Sequence, residues 1–265
     1  MNPLLQPMID AALRAGDEIE AIYGAGCATE IKADGSPVTE ADHRAEAIIL
    51  AALAAAFPDI PVIAEEEACA GRIPEVGERF FLVDPLDGTR GFVNRTGEFT
   101  VNIALIESGA ATAGVIYVPD SHILYYGQAG EGAYRRVGAG GAEPIRTRVP
   151  PAPGLTVLAS RTTSERTAAK LAHLTIAEFL PSSSSLKFCL LAEGSADLYP
   201  RYGRTMEWDT AAGQAILEAA GGRVLALAAD DSEAGPLRYG KVEGGFENPH
   251  FIAWGSAPAR QENEI

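Results

Sequence analysis

An apolar run, Phe80, Phe81, Leu82, Val83, leads straight into Asp84, Pro85, Leu86, Asp87, Gly88, Thr89, and no other junction in the chain constrains its fold as much. A short buried strand that gives out at a turn places the following residues at the carboxyl end of a sheet, where open α/β folds hold ligands. Pro85 fixes its own φ and biases Asp84 towards extended geometry, while Gly88 lets backbone approach a ligand closely. The N–H groups of Gly88 and Thr89 are expected to open a helix and face an anion. Oxygen ligands with no His or Cys beside them suit a hard cation, and Mg²⁺ typically binds through a few carboxylates together with phosphate oxygens. Read alone, the same residues also fit a turn capped by Asp84 and a helix capped by Asp87.

Three further stretches place acids at similar points. Glu65, Glu66 and Glu67 follow the strand-like Pro61, Val62, Ile63, Ala64, so two strand ends could share one site. Asp209, in Glu207, Trp208, Asp209, Thr210, Ala211, Ala212, Gly213, opens an Ala-rich helix that runs to Gly221 and Gly222 and stands at its positive end. Asp42 lies where the polar turn beginning Asp34, Gly35, Ser36, Pro37, Val38, Thr39 enters a helix that runs to Phe57. Each acid taken singly also reads as a helix cap, a solvated charge or a first-turn acid.

Together, Asp34 to Thr39 with Asp42, Glu65 with Glu66, Asp84 to Thr89, and Trp208 to Gly213 resemble, in order and spacing, the lithium-sensitive, Mg²⁺-dependent phosphomonoesterases related to inositol monophosphatase. The resemblance spans nearly the whole chain. Within that family, Glu98 to Ile106, Ser184 to Cys189, Leu237 to Lys241 and Asn248 with Pro249 are similar to the branch that cleaves 3'(2'),5'-bisphosphate nucleotides.

The resemblance implies a set of roles. Glu65, Asp84 and the Leu86 carbonyl would hold one Mg²⁺, and Asp84, Asp87 and Asp209 a second, so that Asp84 bridges. A third, looser ion would lean on Glu65 and waters, giving two to three per site. Asp42 with Thr89 would orient and activate the attacking water, with Glu65 counted among the catalytic groups. Gly88 and Thr89 would receive the scissile phosphate, flanked by Asp87 and Asp209. Lithium inhibition is implied in the same way.

Physical chemistry agrees with that allocation. Asp42, Glu65, Asp84, Asp87 and Asp209 crowded at one site could not all stay ionised without cations between them. A cation on water lowers its pKa from about 16 towards neutrality, and phosphoryl transfer needs in-line positioning with neutralised equatorial oxygens. Direct attack by water is expected, with no covalent phospho-enzyme.

Local cations stand out in a chain of net charge −15. Arg201 occupies a place where similar inositol phosphatases carry an acid that reads sugar hydroxyls, and Arg pairs well with phosphate oxygens. Arg201, Ser184 and Lys187, the last two at a helix start, would hold a second, non-reacting phosphate. The plainer alternative makes Lys187 a solvated helix face and Arg201 a surface ion-pair partner. Gly91 departs from the branch, which usually has an acid there; Gly costs a helix about 1 kcal/mol relative to Ala and puts local rigidity in question.

With 265 residues and 47% hydrophobic content, the chain can build a large core. A pI near 4.7 argues against duplex nucleic acid as a partner, since such binding is driven by Lys and Arg. Cys27, Cys69 and Cys189 lack CxxC spacing, and His43, His122, His173 and His250 lack metal-ligand spacing, so neither a disulfide framework nor a zinc site is expected. That usage fits a reducing cytoplasm.

Asn2 to Ile22 reads as an amphipathic helix rather than a signal peptide, and the apolar run Ala45 to Phe57, interrupted by Glu46, is too short to span a bilayer. Peripheral association with an inner membrane stays open, as does the choice between monomer and homodimer.

Short strands around Val62, Leu82, Val101 to Glu107, Ala113 to Val118 and Ile123 to Gly127 suggest antiparallel hairpins, with a glycine-rich loop at Val137 to Ala142. Pro150, Pro151 and Pro153 mark a boundary between halves 1–150 and 151–265. Beyond it, strand Thr156 to Ala159, helix Ser164 to Leu174, strand Ile176 to Leu180, helix Ser184 to Glu193, strand Ala196 to Tyr199 and helix Thr210 to Ala220 alternate. The whole is expected to be a layered αβαβα sandwich, with most ligands in the first half, Asp209 and the second-phosphate site in the second, and Pro258 to Ile265 disordered.

The leading expectation is a phosphomonoesterase that removes the 3'-phosphate of adenosine 3',5'-bisphosphate to leave AMP, and acts in the same way on its sulfated form. Within the same fold the rival is an inositol or histidinol monophosphatase. A non-catalytic metal or ligand sensor is the reading from another class.

Overall fold

The fold was analysed on a computed structural model that describes residues 2–26, 28–32, 35–159 and 165–256. Cys27, Asp34, Ser164 and the tail from Pro258 lie outside the described residues. The chain opens with α1 (Leu5–Ala25), β1 (Thr29–Ile31), β2 (Pro37–Thr39) and α2 (Glu40–Ala56). It continues through β3 (Val62–Ala64), α3 (Glu65–Cys69), β4 (Arg79–Asp87), α4 (Thr89–Val93), β5 (Thr100–Glu107), β6 (Ala110–Val118), β7 (Ile123–Gln128), β8 (Gly132–Val137) and β9 (Glu143–Ile145). After the proline-rich link come β10 (Leu155–Ala159), α5 (Glu165–Lys170), β11 (Ile176–Pro181), α6 (Leu186–Ala192), β12 (Leu198–Arg201), α7 (Glu207–Ala219), β13 (Arg223–Leu227), β14 (Glu233–Pro236) and β15 (Phe251–Trp254).

These elements build five layers. The first sheet has the order β3-β4-β5-β6-β7-β8-β9 and is antiparallel except for the parallel pair β3 and β4. Alternation along its strands gives it two apolar faces. Phe81, Val83, Ile103 and Leu105 meet Met8, Ala12, Ile19, Ala45, Ile49 and Leu53 from α1 and α2. On the opposite face Leu82, Ala104, Ile106 and Ile116 meet α6 and α7 through Phe188, Ala211, Ala215 and Ile216.

Those two helices also carry the inner face of a second sheet, order β11-β10-β12-β15-β13-β14, through Tyr199, Val224, Phe251 and Ala253. Its outer face packs Val157, Leu198, Ile252 and Trp254 against Leu171, just past α5. The αβαβα sandwich expected from the sequence is the observed architecture.

Several boundaries differ from the sequence reading, for local reasons. The strand expected to stop at Val83 runs on to Asp87 because β5 continues to pair with it. Helix α6 starts at Leu186 rather than Ser184, since Ser184 has φ +57°. Helix α7 begins at Glu207, three residues earlier than expected, because Asp209 caps it. Strands β13, β14 and β15 were not foreseen; β15, the last of the described strands, pairs antiparallel with both β12 and β13.

Candidate active site

The first acid pair is shaped by an irregularity in β4. Asp84 pairs with Asn102 and Asp87 with Thr100, so three steps on β4 match two on β5. Residues three apart on a regular strand face opposite ways, whereas Asn102 and Thr100, two apart, face the same way. The extra residue is a bulge around Pro85 and Leu86 that turns both carboxylates to one side of the sheet. Proline, lacking an N–H, is well placed there, and Asp84 Oδ1 accepts the Leu86 N–H at 3.0 Å. Gly88 then takes φ +91°, and a Cβ on it would stand 2.7 Å from the Glu98 carbonyl oxygen.

Glu65 reaches the same place because β3 runs parallel to β4 with Ala64 opposite Val83, which sets the next residue beside Asp84. Asp42 and Asp209 arrive on helices, each as the third residue of a capping box. Asp42 Oδ2 accepts the Thr39 N–H at 2.8 Å, and Asp209 Oδ2 accepts the Met206 N–H at 2.8 Å. Of the plainer alternatives, the first-turn acid is the one observed for both, each reaching back to the N–H of the residue before its helix, and it does not compete with a role in the site. One oxygen of each carboxylate closes the helix start; the other is left for chemistry.

Oxygens of Glu65, Asp84 and Asp209 all lie within 4.8 Å of one another. Asp87 lines the same cleft, but it is not a member of that triple; its Oδ2 is held by Ser184 Oγ at 2.6 Å and the Ser185 N–H at 2.7 Å. Asp42 is buried behind Thr89, whose hydroxyl stands 3.1 Å from both Asp42 Oδ1 and the Leu86 carbonyl. A hydroxyl has one proton, so Thr89 donates to one of these at a time.

Burial and mutual repulsion act on these acids together. Burial raises the Asp84 pKa well above the ordinary carboxylate range, and Glu65, Asp87 and Asp209 raise it further. Asp209 is raised well above that range by burial and then by Asp87. Glu65 is raised to about 6 by burial, against the pull of Lys32, whose Nζ lies 2.8 Å from its Oε1. Burial also raises Asp42, opposed by its hydrogen bonds from Thr39.

An all-oxygen donor set held this closely, with its negative charge suppressed by its own surroundings, fits a hard divalent cation that would restore ionisation.

The same cleft also carries cations. A cavity of about 510 Å³ is lined by Glu65, Asp84 and Asp209 together with Lys187, Arg201 and Arg204. A smaller one of about 100 Å³ continues from it between Ser184, Lys187, Tyr199 and Arg201. Lys187 is 4% exposed, so it is no solvated helix face. Its Nζ donates to the Ser184 carbonyl at 2.9 Å, and burial lowers its pKa to about 8. Arg201 donates from Nη2 to the Arg204 carbonyl at 3.0 Å, while its buried Nε has no hydrogen-bond partner among the described residues. A buried donor left in that state at a cavity wall is suited to an anion.

Gly91 proves to be packed rather than loose. A Cβ there would lie 2.7 Å from the Glu98 carbonyl oxygen and 3.0 Å from Thr96 Oγ1, so α4 and the following loop approach too closely for a side chain. Sequence reasoning missed Lys32, which pairs with Glu65 and Glu66; a single lysine in a polar loop carries no signal. It also passed over Glu46, whose signal was available: four residues after Asp42, it is the one charge in the stretch Ala45 to Ala56 of α2.

Among the described residues no helix is long and apolar enough to cross a membrane. A family model described as the inositol monophosphatase family matches residues 1–261. The 3'(2'),5'-bisphosphate nucleotidase CysQ of Salmonella typhimurium is 42% identical over 250 residues, covering 94% of this chain and 98% of that protein. The crystal structure of CysQ from Bacteroides thetaiotaomicron, 37% identical, superposes with a TM-score of 0.77 over 95% of this chain and 96% of that one. An inositol monophosphatase from Thermotoga maritima, 26% identical, superposes with a TM-score of 0.75 over 95% and 91%. On the strength of the whole-length match, the bulged acid strand and the shared layers, this chain belongs to the inositol monophosphatase family.

Proposed function

We propose that the protein is a Mg²⁺-dependent phosphomonoesterase that hydrolyses the 3'-phosphate of adenosine 3',5'-bisphosphate to give AMP and phosphate. The observation that carries this reading is one cleft that holds the oxygens of Glu65, Asp84 and Asp209 together with the buried Lys187 and the unsatisfied Arg201 Nε. A substrate with a single phosphate has no use for those additional cations. Similarity to bisphosphate nucleotidases along nearly the whole chain supports the same substrate class.

Glu65, Asp84, Asp87, Asp209 and the Leu86 carbonyl would hold the cations. When bound, Mg²⁺ supplies a water of lowered pKa and neutralises the phosphate oxygens. Thr89 accepts the proton of the attacking water on its hydroxyl as its own proton passes to Asp42, which ends protonated. Gly88 permits the scissile phosphate to approach backbone, and Arg201, Lys187 and Ser184 grip the other phosphate with charge-assisted hydrogen bonds. In this reading residues 1–150 supply most of the acids, and residues 151–265 supply Asp209 and the second-phosphate grip.

Two measurements test it. Turnover of adenosine 3',5'-bisphosphate should exceed that of inositol monophosphate; the reverse preference removes the roles of Lys187 and Arg201, and absence of turnover on both points to a sensor. Arg201→Glu should raise KM for the bisphosphate at least about 10-fold, the loss expected for a charge-assisted pair, while Mg²⁺ affinity stays within a factor of about two.

A further inference from the structure

Glu46 takes no part in the chemistry above, yet it is a carboxylate only 3% exposed. Both of its oxygens are engaged by backbone. Oε2 accepts the Glu66 N–H at 2.8 Å, and Oε1 accepts the Glu67 N–H at 3.0 Å. These donors sit in the first turn of α3, where N–H groups have no partner inside a helix. Among the described residues nothing else caps that start: the preceding residue is Ala64, which makes no side-chain cap bond, and α3 is only 5 residues long. The helix that begins with Glu65 is thus held at its origin by one carboxylate from another element.

That element is α2, which also carries Asp42. Positions four apart share one face of a helix, so Asp42 and Glu46 reach the site from a single rigid rod. The first meets Thr89 Oγ1 at 3.1 Å and the second grips α3. The separation between the Asp42–Thr89 pair and Glu65 is then set by one turn of α2.

We propose that Glu46 is a positioning residue, holding Glu65 in place beside Asp84 and Asp209 for divalent-cation binding through the N–H groups of Glu66 and Glu67. The inference rests on reading those acids as a Mg²⁺ site and deepens that reading. The clamp needs two acceptors. Glutamine offers one and turns an NH₂ towards a backbone N–H; aspartate keeps the charge on an arm one methylene shorter.

The test is isothermal titration calorimetry of Mg²⁺ into the full chain without substrate, so the answer does not depend on which ester is hydrolysed. Glu46→Gln should weaken Mg²⁺ binding by about 10- to 100-fold, the range found for groups that orient metal ligands, with kcat recovered at saturating Mg²⁺. Glu46→Asp should lose less. Asp197→Asn, which alters a buried carboxylate bracing Arg148 and the Thr156 N–H, should lower Tm and leave Mg²⁺ affinity unchanged. A folded Glu46→Gln variant binding Mg²⁺ within twofold of the parent overturns the inference alone, and a parent that binds no Mg²⁺ overturns the acid-site reading with it. If neither Glu46 variant folds, amide exchange in the parent decides: protected Glu66 and Glu67 N–H groups support the clamp, and free exchange of both refutes it.

Discussion

At the scale of single residues, the lesson is that a side chain can cap a helix and serve a site with different atoms. Asp42 gives Oδ2 to the Thr39 backbone and Oδ1 to Thr89. Asparagine keeps an acceptor for the cap but cannot take a proton. Asp42→Asn is therefore expected to cost about 1 kcal/mol or less in chemical denaturation and to reduce kcat by at least about 100-fold. Lys187 yields a pH signature. Its pKa is lowered to about 8 by burial, so it is charged below that pH and neutral above it. KM for adenosine 3',5'-bisphosphate should rise as pH climbs through about 8, whereas a monophosphate ester, with nothing for Lys187 to grip, should show no such limb. Steady-state kinetics with both esters between pH 7 and 9 separates the two.

At the scale of elements, turns and bulges deliver the groups. Gly88 holds φ +91° with the Glu98 carbonyl against its open side. Gly88→Ala should destabilise the fold by about 1–3 kcal/mol, read from urea unfolding, and lower kcat as α4 shifts. Much of this was legible in the sequence: Pro85 and Gly88 flagged the turn chemistry, and the acid after each apolar run flagged the strand ends. The bulge was not, because register is decided by β5, a partner that the local sequence of β4 does not contain. Strands β13 to β15 escaped for a related reason. They are 4 to 5 residues each, too short for a period-2 pattern to stand out, and they exist because neighbours in the second sheet complete their hydrogen bonds. Glu46 was visible as the one charge in the otherwise apolar stretch Ala45 to Ala56, but its purpose depends on α3, which comes 20 residues later in the chain.

At the scale of the molecule, stored charge is the dominant feature. Glu46 is raised to about 7 and Glu65 to about 6, each chiefly by burial, and Asp84 and Asp209 stand well above the ordinary range. Each folded pKa exceeds its unfolded value near 4, so the native state binds more protons than the unfolded one in the interval between. The stability these acids contribute then falls as pH rises from about 4 through about 7. For protein stripped of divalent ions, Tm by calorimetry should be higher at pH 5.5 than at pH 7.5. Added Mg²⁺ favours the ionised acids and stabilises the native state by mass action, so it should raise Tm more at pH 7.5 than at pH 5.5. A Tm that ignores Mg²⁺ at both pH values contradicts the charge arrangement.

The position of β15 has a consequence for how such a molecule comes into being. β15, the last of the described strands, sits inside the second sheet, between β12 and β13, rather than at its rim. On the ribosome, the layer that backs α6 and α7 cannot close until Phe251–Trp254 have left the exit tunnel, however early the first sheet collapses. Nascent chains halted before Phe251 would present an open seam where β15 belongs, between β12 and β13.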